Sequence, residues 1–415
     1  MRLLVNTSKQ IARSLSCYIA RQRKSRRGVL VCSAPVPERN RGDQALLAVV
    51  VDELERRGAG PLTLLTTSNH PIESLDVTPQ RWIRDDLFHL FLTRRSFREE
   101  IIFPSLVSKH RHLVMIGADV LDEGYGIERS VASMHAIELA NRVGVETRIF
   151  GFSVNGPPSA GLQSRMNQLG QKTRLFVRDP ESFRRLESVA TPGIEAAGDL
   201  AFLLHPAEAS ELQPAWLAFA AEHAGRLIGL NLTQVVLGLY GSEETRLNIV
   251  AEACRRLALE DGLRFFLIPH DEPEGIAYLR SFQHRLEQEG ERISILIDPL
   301  AHSRCLKRIA GMCEHVFTCR LHLGIATLGM GRPMTGFPYQ GKFEGQFELF
   351  GLSNDGLIGP DQFPKTAEEM FNLMRNRISQ SDSLALQVQS RLPSVLELSR
   401  RNFDGLGTEP SRRPG

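Results

Sequence analysis

The stretch Val316-Phe317-Thr318-Cys319-Arg320-Leu321-His322-Leu323-Gly324-Ile325-Ala326 passes from a short apolar run into residues of helical character, with no polar turn between them. A passage of this kind is the elementary step of an α/β fold, and it recurs along the chain. Strand-like runs lie at Val29–Cys32, Leu62–Thr66, Leu113–Ile116, Thr147–Phe152, Leu175–Val177 and Leu227–Leu230, then at Phe265–Ile268, Ile293–Ile297, Val316–Cys319 and Met334–Phe337. Between them fall helix-period segments such as Gln44–Arg57, Glu128–Arg142, Ser182–Ser188, Glu244–Leu259 and Glu274–Gln288. Apolar runs alternating with amphipathic stretches predict parallel strands buried on both faces by helices. The rhythm resets near His205–Ala218, where Pro206, Pro214 and several alanines intervene. The chain therefore reads as two Rossmann-like parallel-sheet domains, residues 28–210 and 211–376, with a basic segment 1–27 ahead and a C-terminal helix and tail 377–415 behind. A length of 415 residues suits two such cores.

Composition narrows the class. Apolar residues at 42% and charged residues at 24% exclude disordered and collagen-like chains. A net charge of +2 gives no global field for nucleic acid. No window approaches the ~18–20 uninterrupted apolar residues of a membrane span. Cys17, Cys32, Cys254, Cys305, Cys313 and Cys319 form neither a CxxC pair nor a zinc spacing, and they read as reduced thiols of a cytosolic protein. No metal site is expected. Only seven of the 50 cationic residues are lysines, which sets apart Lys342 in its Gly-rich stretch.

Charge is unevenly spread. Residues 1–27 hold eight cations and no acid, leaving −6 for the rest. Within them Ile11, Leu15, Tyr18 and Ile19 recur at helical spacing. A disordered basic tail, a helix on an anionic membrane surface and an organellar transit peptide all fit this pattern; the apolar core of a secretory signal is absent.

Polar residues gather at strand ends, where open α/β sheets bind ligands. After the first strand comes Asn40-Arg41-Gly42-Asp43-Gln44-Ala45-Leu46-Leu47. Here Gly42 permits a tight turn and Asp43 reads as a helix N-cap, at an end that favours anions. Gly117-Ala118-Asp119-Val120-Leu121-Asp122-Glu123-Gly124-Tyr125-Gly126 offers three acids as a general base or as a solvated loop. In Arg178-Asp179-Pro180-Glu181-Ser182, Asp179 and Pro180 start a helix, and Arg178 should project from its strand end unless a neighbouring acid pairs it. Asp199 is similarly placed and reads as structural. Arg320 and His322 share a strand face if the strand persists, or a helix start if it does not. Either way a carboxylate fork and a titratable imidazole sit together. Gly331–Phe343 carries Tyr339 and Lys342, a phosphate loop or an ordinary one, and Ile268-Pro269-His270-Asp271 ends another strand.

In this order the motifs resemble the polysaccharide pyruvyl transferase family. The matching elements are Asn40–Leu47, Gly117–Gly126, Arg178 with Asp179 and Ser182, Arg320-Leu321-His322, and Pro333, Tyr339, Lys342 and Gly351, spread over residues 29–352. The family's Gly-Gly loop is Gly117-Ala118 here, and an ungapped match puts Glu123 at the family acid. The resemblance implies a glycosyltransferase-B-like architecture with its site in the cleft between halves. It also implies transfer of the enolpyruvyl unit of phosphoenolpyruvate onto two hydroxyls of one sugar, giving a pyruvate ketal and phosphate. On it Arg320, then Arg178, would take the donor carboxylate, and His322 would protonate the methylene carbon. Asp43, Asp119 or Asp122 would accept the sugar proton, Lys342 and Tyr339 would hold phosphate, and Asn40 and Gly42 would line the site. No cofactor is expected beyond phosphoenolpyruvate as donor substrate; the acceptor would be a lipid-linked or exported saccharide, with peripheral membrane contact through residues 1–27. A nucleotide-sugar glycosyltransferase of the same architecture and a non-catalytic glycan-assembly protein are the alternatives.

Overall fold

The computed structural model describes residues 2–34, 40–66, 81–84, 99–119, 121–123, 126–271, 273–287, 290, 292–338 and 341–407. Two compact units emerge: Met1–Pro37 with Leu46–Leu200 and Leu398–Gly415, and Glu38–Ala45 with Ala201–Glu397.

The first unit is built on seven parallel strands: β1 (Val29–Ala34), β2 (Leu62–Thr66), β3 (Arg81–Arg84), β4 (His112–Ala118), β5 (Glu146–Phe152), β6 (Thr173–Val177) and β7 (Ile194–Ala196). Their spatial order is β3-β2-β1-β4-β5-β6-β7. Helices α1 (Arg2–Arg21), α2 (Arg41–Arg56), α3 (Glu99–Val107), α4 (Ile127–Val143), α5 (Ala160–Gly170) and α6 (Pro180–Glu187) alternate with them. The first turn of α2 counts with the second unit. Strand β4, with seven consecutive buried residues, shows why the central strands read as unbroken apolar runs: helices cover both faces. Leu30, Met115, Ile137, Phe152 and Leu175 belong to one continuous core.

The second unit repeats the plan with five parallel strands: β8 (Leu227–Asn231), β9 (Arg264–Leu267), β10 (Ser294–Leu296), β11 (His315–Thr318) and β12 (Met334–Gly336), ordered β10-β9-β8-β11-β12. Its helices are α7 (Pro214–Glu222), α8 (Gln234–Leu239), α9 (Glu243–Asp261), α10 (Glu274–Leu286), α11 (Ser303–Met312), α12 (Leu321–Leu328), α13 (Phe343–Phe350), α14 (Ala367–Ser379) and α15 (Ser381–Arg400). Leu230, Val250, Phe265, Leu279, Phe317 and Met370 form its core. In each sheet the strand order reverses beside the unit's first strand, between β1 and β4 and between β8 and β11. That reversal opens a space at the carboxyl edge, where ligands bind in open α/β sheets.

Every strand expected from the sequence is present; β3 and β7, both at sheet edges, are additional. The basic segment forms α1, whose Cys17 and Ala20 join the first core against α3 and α4. No helix among the described residues is long and apolar enough to cross a membrane.

Candidate active site

Strands β4, β5 and β6 end side by side, and the residue after each enters one cluster. Arg178, after β6, is 1% exposed and donates from Nε to Ser153 Oγ at 2.5 Å. Its two terminal nitrogens reach Asp199 Oδ2 and Asp119 Oδ1, both at 2.9 Å. Burial works against the guanidinium charge, but Asp199, Asp119 and Asp179 outweigh it and hold the pKa above its ordinary value. Of the two readings open for Arg178, projection from the strand end or pairing with an acid, pairing is the observed one, with Asp119 and Asp199 in place of its sequence neighbours. All three faces of the fork are consumed by fixed partners, one of them the fully buried Asp199.

The rest of the motif is local architecture. Asp179 caps α6 by accepting from Ser182 N at 2.7 Å, and Ser182 Oγ accepts from Val154 N at 3.0 Å. In the acidic loop Asp119 serves Arg178, and Asp122, 7% exposed, accepts from the Asn155 amide. Glu123 accepts from the backbone and hydroxyl of Ser159, the N-cap of α5, at 3.0 and 2.6 Å. Asp119, with its side chain 28% exposed, is thus the outward member of an ion cluster holding two carboxylates and one guanidinium.

The second cluster lies at the reversal point of the other sheet. Asn231 closes β8 and ties three strands together: its amide donates to Ile268 O at 2.8 Å, and Thr318 Oγ1 donates to its carbonyl at 3.3 Å. Beyond β11 the strand stops at Thr318 and α12 begins at Leu321, so Arg320 is its N-cap and His322 lies in its first turn. Of the two placements open from sequence, the helix start is the observed one.

Arg320 pairs with Asp271, which follows β9. The Arg320 Nε–H is buried and has no hydrogen-bond partner among the described residues. His270 is 5% exposed, with Nδ1 3.9 Å from Asp271 Oδ1. Burial drives its pKa down, Arg320 and Arg41 add to that, and Asp271 opposes it, so the ring is neutral near pH 7. Burial alone would raise the Asp271 pKa, but His270 and Arg320 hold it below its usual range.

The Asn40 motif is anchored to the same place. Asn40 forms an antiparallel bridge with Asp271, and Arg41 N donates to His270 O at 3.2 Å. Asn40, not Asp43, caps α2: its Oδ1 accepts from Gly42 N at 2.8 Å and Asp43 N at 3.4 Å. Asp43 instead sits within the first turn. Gly42 serves close approach rather than a turn, because a Cβ there would lie 2.3 Å from His322 Nδ1. Arg41, which sequence reasoning passed over, donates from Nε to Ala301 O at 2.9 Å. Arg41, His270 and His322 share the wall of a cavity of about 20 Å³, room for about one water. Lys342 is buried at the N-cap of α13, on the connection after β12. Tyr339 lies outside the described residues.

Two guanidinium groups, two imidazoles and one carboxylate gather at this edge, a set able to hold an oxyanion and to exchange protons. His270 and Asp271 stood out in the sequence at the end of an apolar run but were given no role; Arg41 and Asn231 were not singled out, and for Asn231 the available signal was a polar residue closing an apolar run. Among the described residues no group of three or more His, Cys, Asp and Glu side chains could hold a metal ion.

Fold and site define a two-sheet α/β protein of the glycosyltransferase-B-like class. A model of polysaccharide pyruvyl transferases matches residues 40–341, and the chain belongs to that family. No curated protein matches it in sequence. Solved structures share the fold at low identity. A putative UDP-N-acetylglucosamine 2-epimerase from Listeria monocytogenes superposes with a TM-score of 0.61 at 13% identity, covering 92% of this chain and 97% of that one. The UDP-GlcNAc 2-epimerase of Neisseria meningitidis bound to UDP-GlcNAc gives 0.59 at 11%, covering 90% and 97%. An E. coli trehalose-6-phosphate structure bound with UDP-2-fluoro glucose gives 0.50 at 12%, covering 92% and 99%.

Proposed function

We propose that this transferase moves the enolpyruvyl unit of phosphoenolpyruvate onto a sugar of a lipid-linked or exported polysaccharide, forming a cyclic pyruvate ketal and releasing phosphate. The observation that carries the donor site is the buried Nε–H of Arg320 at the start of α12, which has no partner among the described residues. A donor so placed is costly without an acceptor, and a carboxylate supplies one. The six dispersed, buried cysteines suit a reducing, cytoplasmic setting.

In the first step a sugar hydroxyl adds to C2 of phosphoenolpyruvate while a proton is delivered to the methylene C3. His322 is the acid in this reading, and His270, neutral near pH 7, lines the same small cavity. A carboxylate among Asp43, Asp119 and Asp122 takes the hydroxyl proton. In the second step the other hydroxyl bonds to C2, its proton returns to His322, left unprotonated by the first step, and the C2–O bond to phosphate breaks, with Lys342 holding the departing anion. Arg320 keeps the carboxylate in place throughout, and the proposed chemistry calls for no metal or resident cofactor.

Incubating the protein with phosphoenolpyruvate and saccharide acceptors tests this. Acceptor-dependent phosphate release and an acid-labile mass gain on the sugar are expected, both lost in His322→Ala. The fold neighbours bound to UDP-sugars favour one rival, a nucleotide-sugar glycosyltransferase. Transfer from a UDP-sugar without response to phosphoenolpyruvate would establish that rival instead.

A further inference from the structure

Helix α1 is packed the wrong way round for a surface helix. An amphipathic helix normally turns its apolar stripe to the core and its polar face to water. Here the inward face carries Cys17 and Ala20, 6% and 7% exposed, against α3 and α4. The large apolar side chains point out: Ile11, Leu15, Tyr18 and Ile19 are 57–65% exposed. They are four of the ten large apolar side chains left exposed among the described residues, and a fifth, Ile101 of α3, adjoins them. Leu15, Ile19 and Ile101, with Ala12, Ser105 and Arg23, line an open groove of about 500 Å³.

Charge says what covers this face. Residues 1–27 contain no acid, and Arg21, Arg23, Lys24 and Arg27 at the end of the helix are exposed. Arg26 is turned inward, donating to the carbonyls of Val143 and Gly144 at the end of α4, so the basic run is fixed to the unit. A second copy meeting this face through a twofold axis would oppose one acid-free segment to another. An anionic surface with an apolar interior satisfies both halves of the pattern, with Tyr18 suited to the boundary between them.

We propose that the outward stripe of α1, flanked by Arg21, Arg23, Lys24 and Arg27, docks the protein on an anionic lipid bilayer. Ile11, Leu15, Tyr18 and Ile19 enter the headgroup boundary, and the cations meet lipid phosphates. The proposal stands apart from the donor chemistry, because binding to lipid is measured without turnover.

The test is co-sedimentation of the full chain with phosphatidylcholine vesicles and with vesicles containing phosphatidylglycerol. Binding to the anionic vesicles alone, weakening as salt rises, is expected. The double variant Leu15→Glu/Ile19→Glu should lower partitioning by about tenfold or more. Arg23→Ser/Lys24→Ser should lower it less and flatten the salt dependence. Failure of the wild-type chain to bind anionic vesicles at low salt overturns the proposal, as does undiminished binding by both variants. A wild-type dimer that Leu15→Glu/Ile19→Glu dissociates would assign the stripe to a second copy.

Discussion

Two arginines, each just past the end of a parallel strand, face opposite fates in this protein. Arg178 is sealed: Ser153, Asp119 and Asp199 consume its fork, and it is 1% exposed. Among the described residues Arg320 pairs with one carboxylate, Asp271, and keeps a buried Nε–H with no partner. The same residue type, past β6 in one unit and past β11 in the other, is thus a rivet in the first and, in the function proposed above, a receptor in the second. Saturation of the hydrogen-bond inventory, rather than position, separates the two.

The largest effect should come from breaking the rivet. Arg178→Met leaves the fully buried Asp199 without its counter-ion, a loss of about 3–5 kcal/mol. Hydrogen-exchange mass spectrometry should show β4, β5 and β6 losing protection while β8, β9 and β11 keep theirs. Full protection with lost turnover would reverse the assignment and make Arg178 the receptor.

Arg320→Lys probes the other side. Lysine keeps the charge but loses the planar fork, so kcat/KM for phosphoenolpyruvate should fall by about 10²-fold, about 3 kcal/mol, with exchange protection in β8, β9 and β11 unchanged. Undiminished turnover would remove Arg320 from the donor site.

The contrast also explains what the sequence revealed and what it withheld. Strands buried on both faces are continuous apolar runs, so β4, β5, β8 and β11 were legible and the two-sheet plan with them. Edge strands are half-polar: Arg81–Arg84 and Ile194–Ala196 carry too few apolar residues to stand out. The family motifs were legible as a set, and the matched span of residues 40–341 lies within the stretch over which they were read. The state of each arginine was hidden, because it depends on residues far along the chain. Asp119 and Asp199 lie 59 and 21 positions from Arg178, and Asp271 lies 49 from Arg320. Asp43 looked like a cap because the helix start was placed a turn late; Asn40 does that work.

Two glycines sharpen the comparison at smaller magnitude. A Cβ on Gly117 would meet Phe150 O at 2.6 Å and Phe152 Cβ at 2.5 Å, and the backbone of β5 cannot yield cheaply. Gly117→Ala should therefore destabilise the first unit by about 1–3 kcal/mol, read as a lower urea midpoint of its transition. A Cβ on Gly42 meets a side chain instead, His322 Nδ1 at 2.3 Å and Cγ at 2.6 Å, and a side chain can swing away. Gly42→Ala should cost about tenfold in turnover by displacing His322, while moving the urea midpoint less than Gly117→Ala does. Equal effects of the two on stability and turnover would erase the distinction between rivet and receptor.

The smallest effect sits next to the rivet. Ala118, where the family loop has glycine, holds φ at +40°, in the left-handed region that disfavours a side chain. It holds this shape because Ser153 N donates to Ala118 O at 2.9 Å and the next residue, Asp119, is locked to Arg178. Left-handed alanine costs about 1–2 kcal/mol, and glycine returns about 0.4–1 kcal/mol of that through its looser unfolded chain. Ala118→Gly should then stabilise the first unit by about 0.5 kcal/mol, a small rise in the urea midpoint with turnover unchanged. If the strain serves to aim Asp119, stability would still rise but turnover would fall, because the relaxed loop would let the carboxylate turn. The single substitution thus separates an acid that only anchors Arg178 from one that also takes the sugar proton.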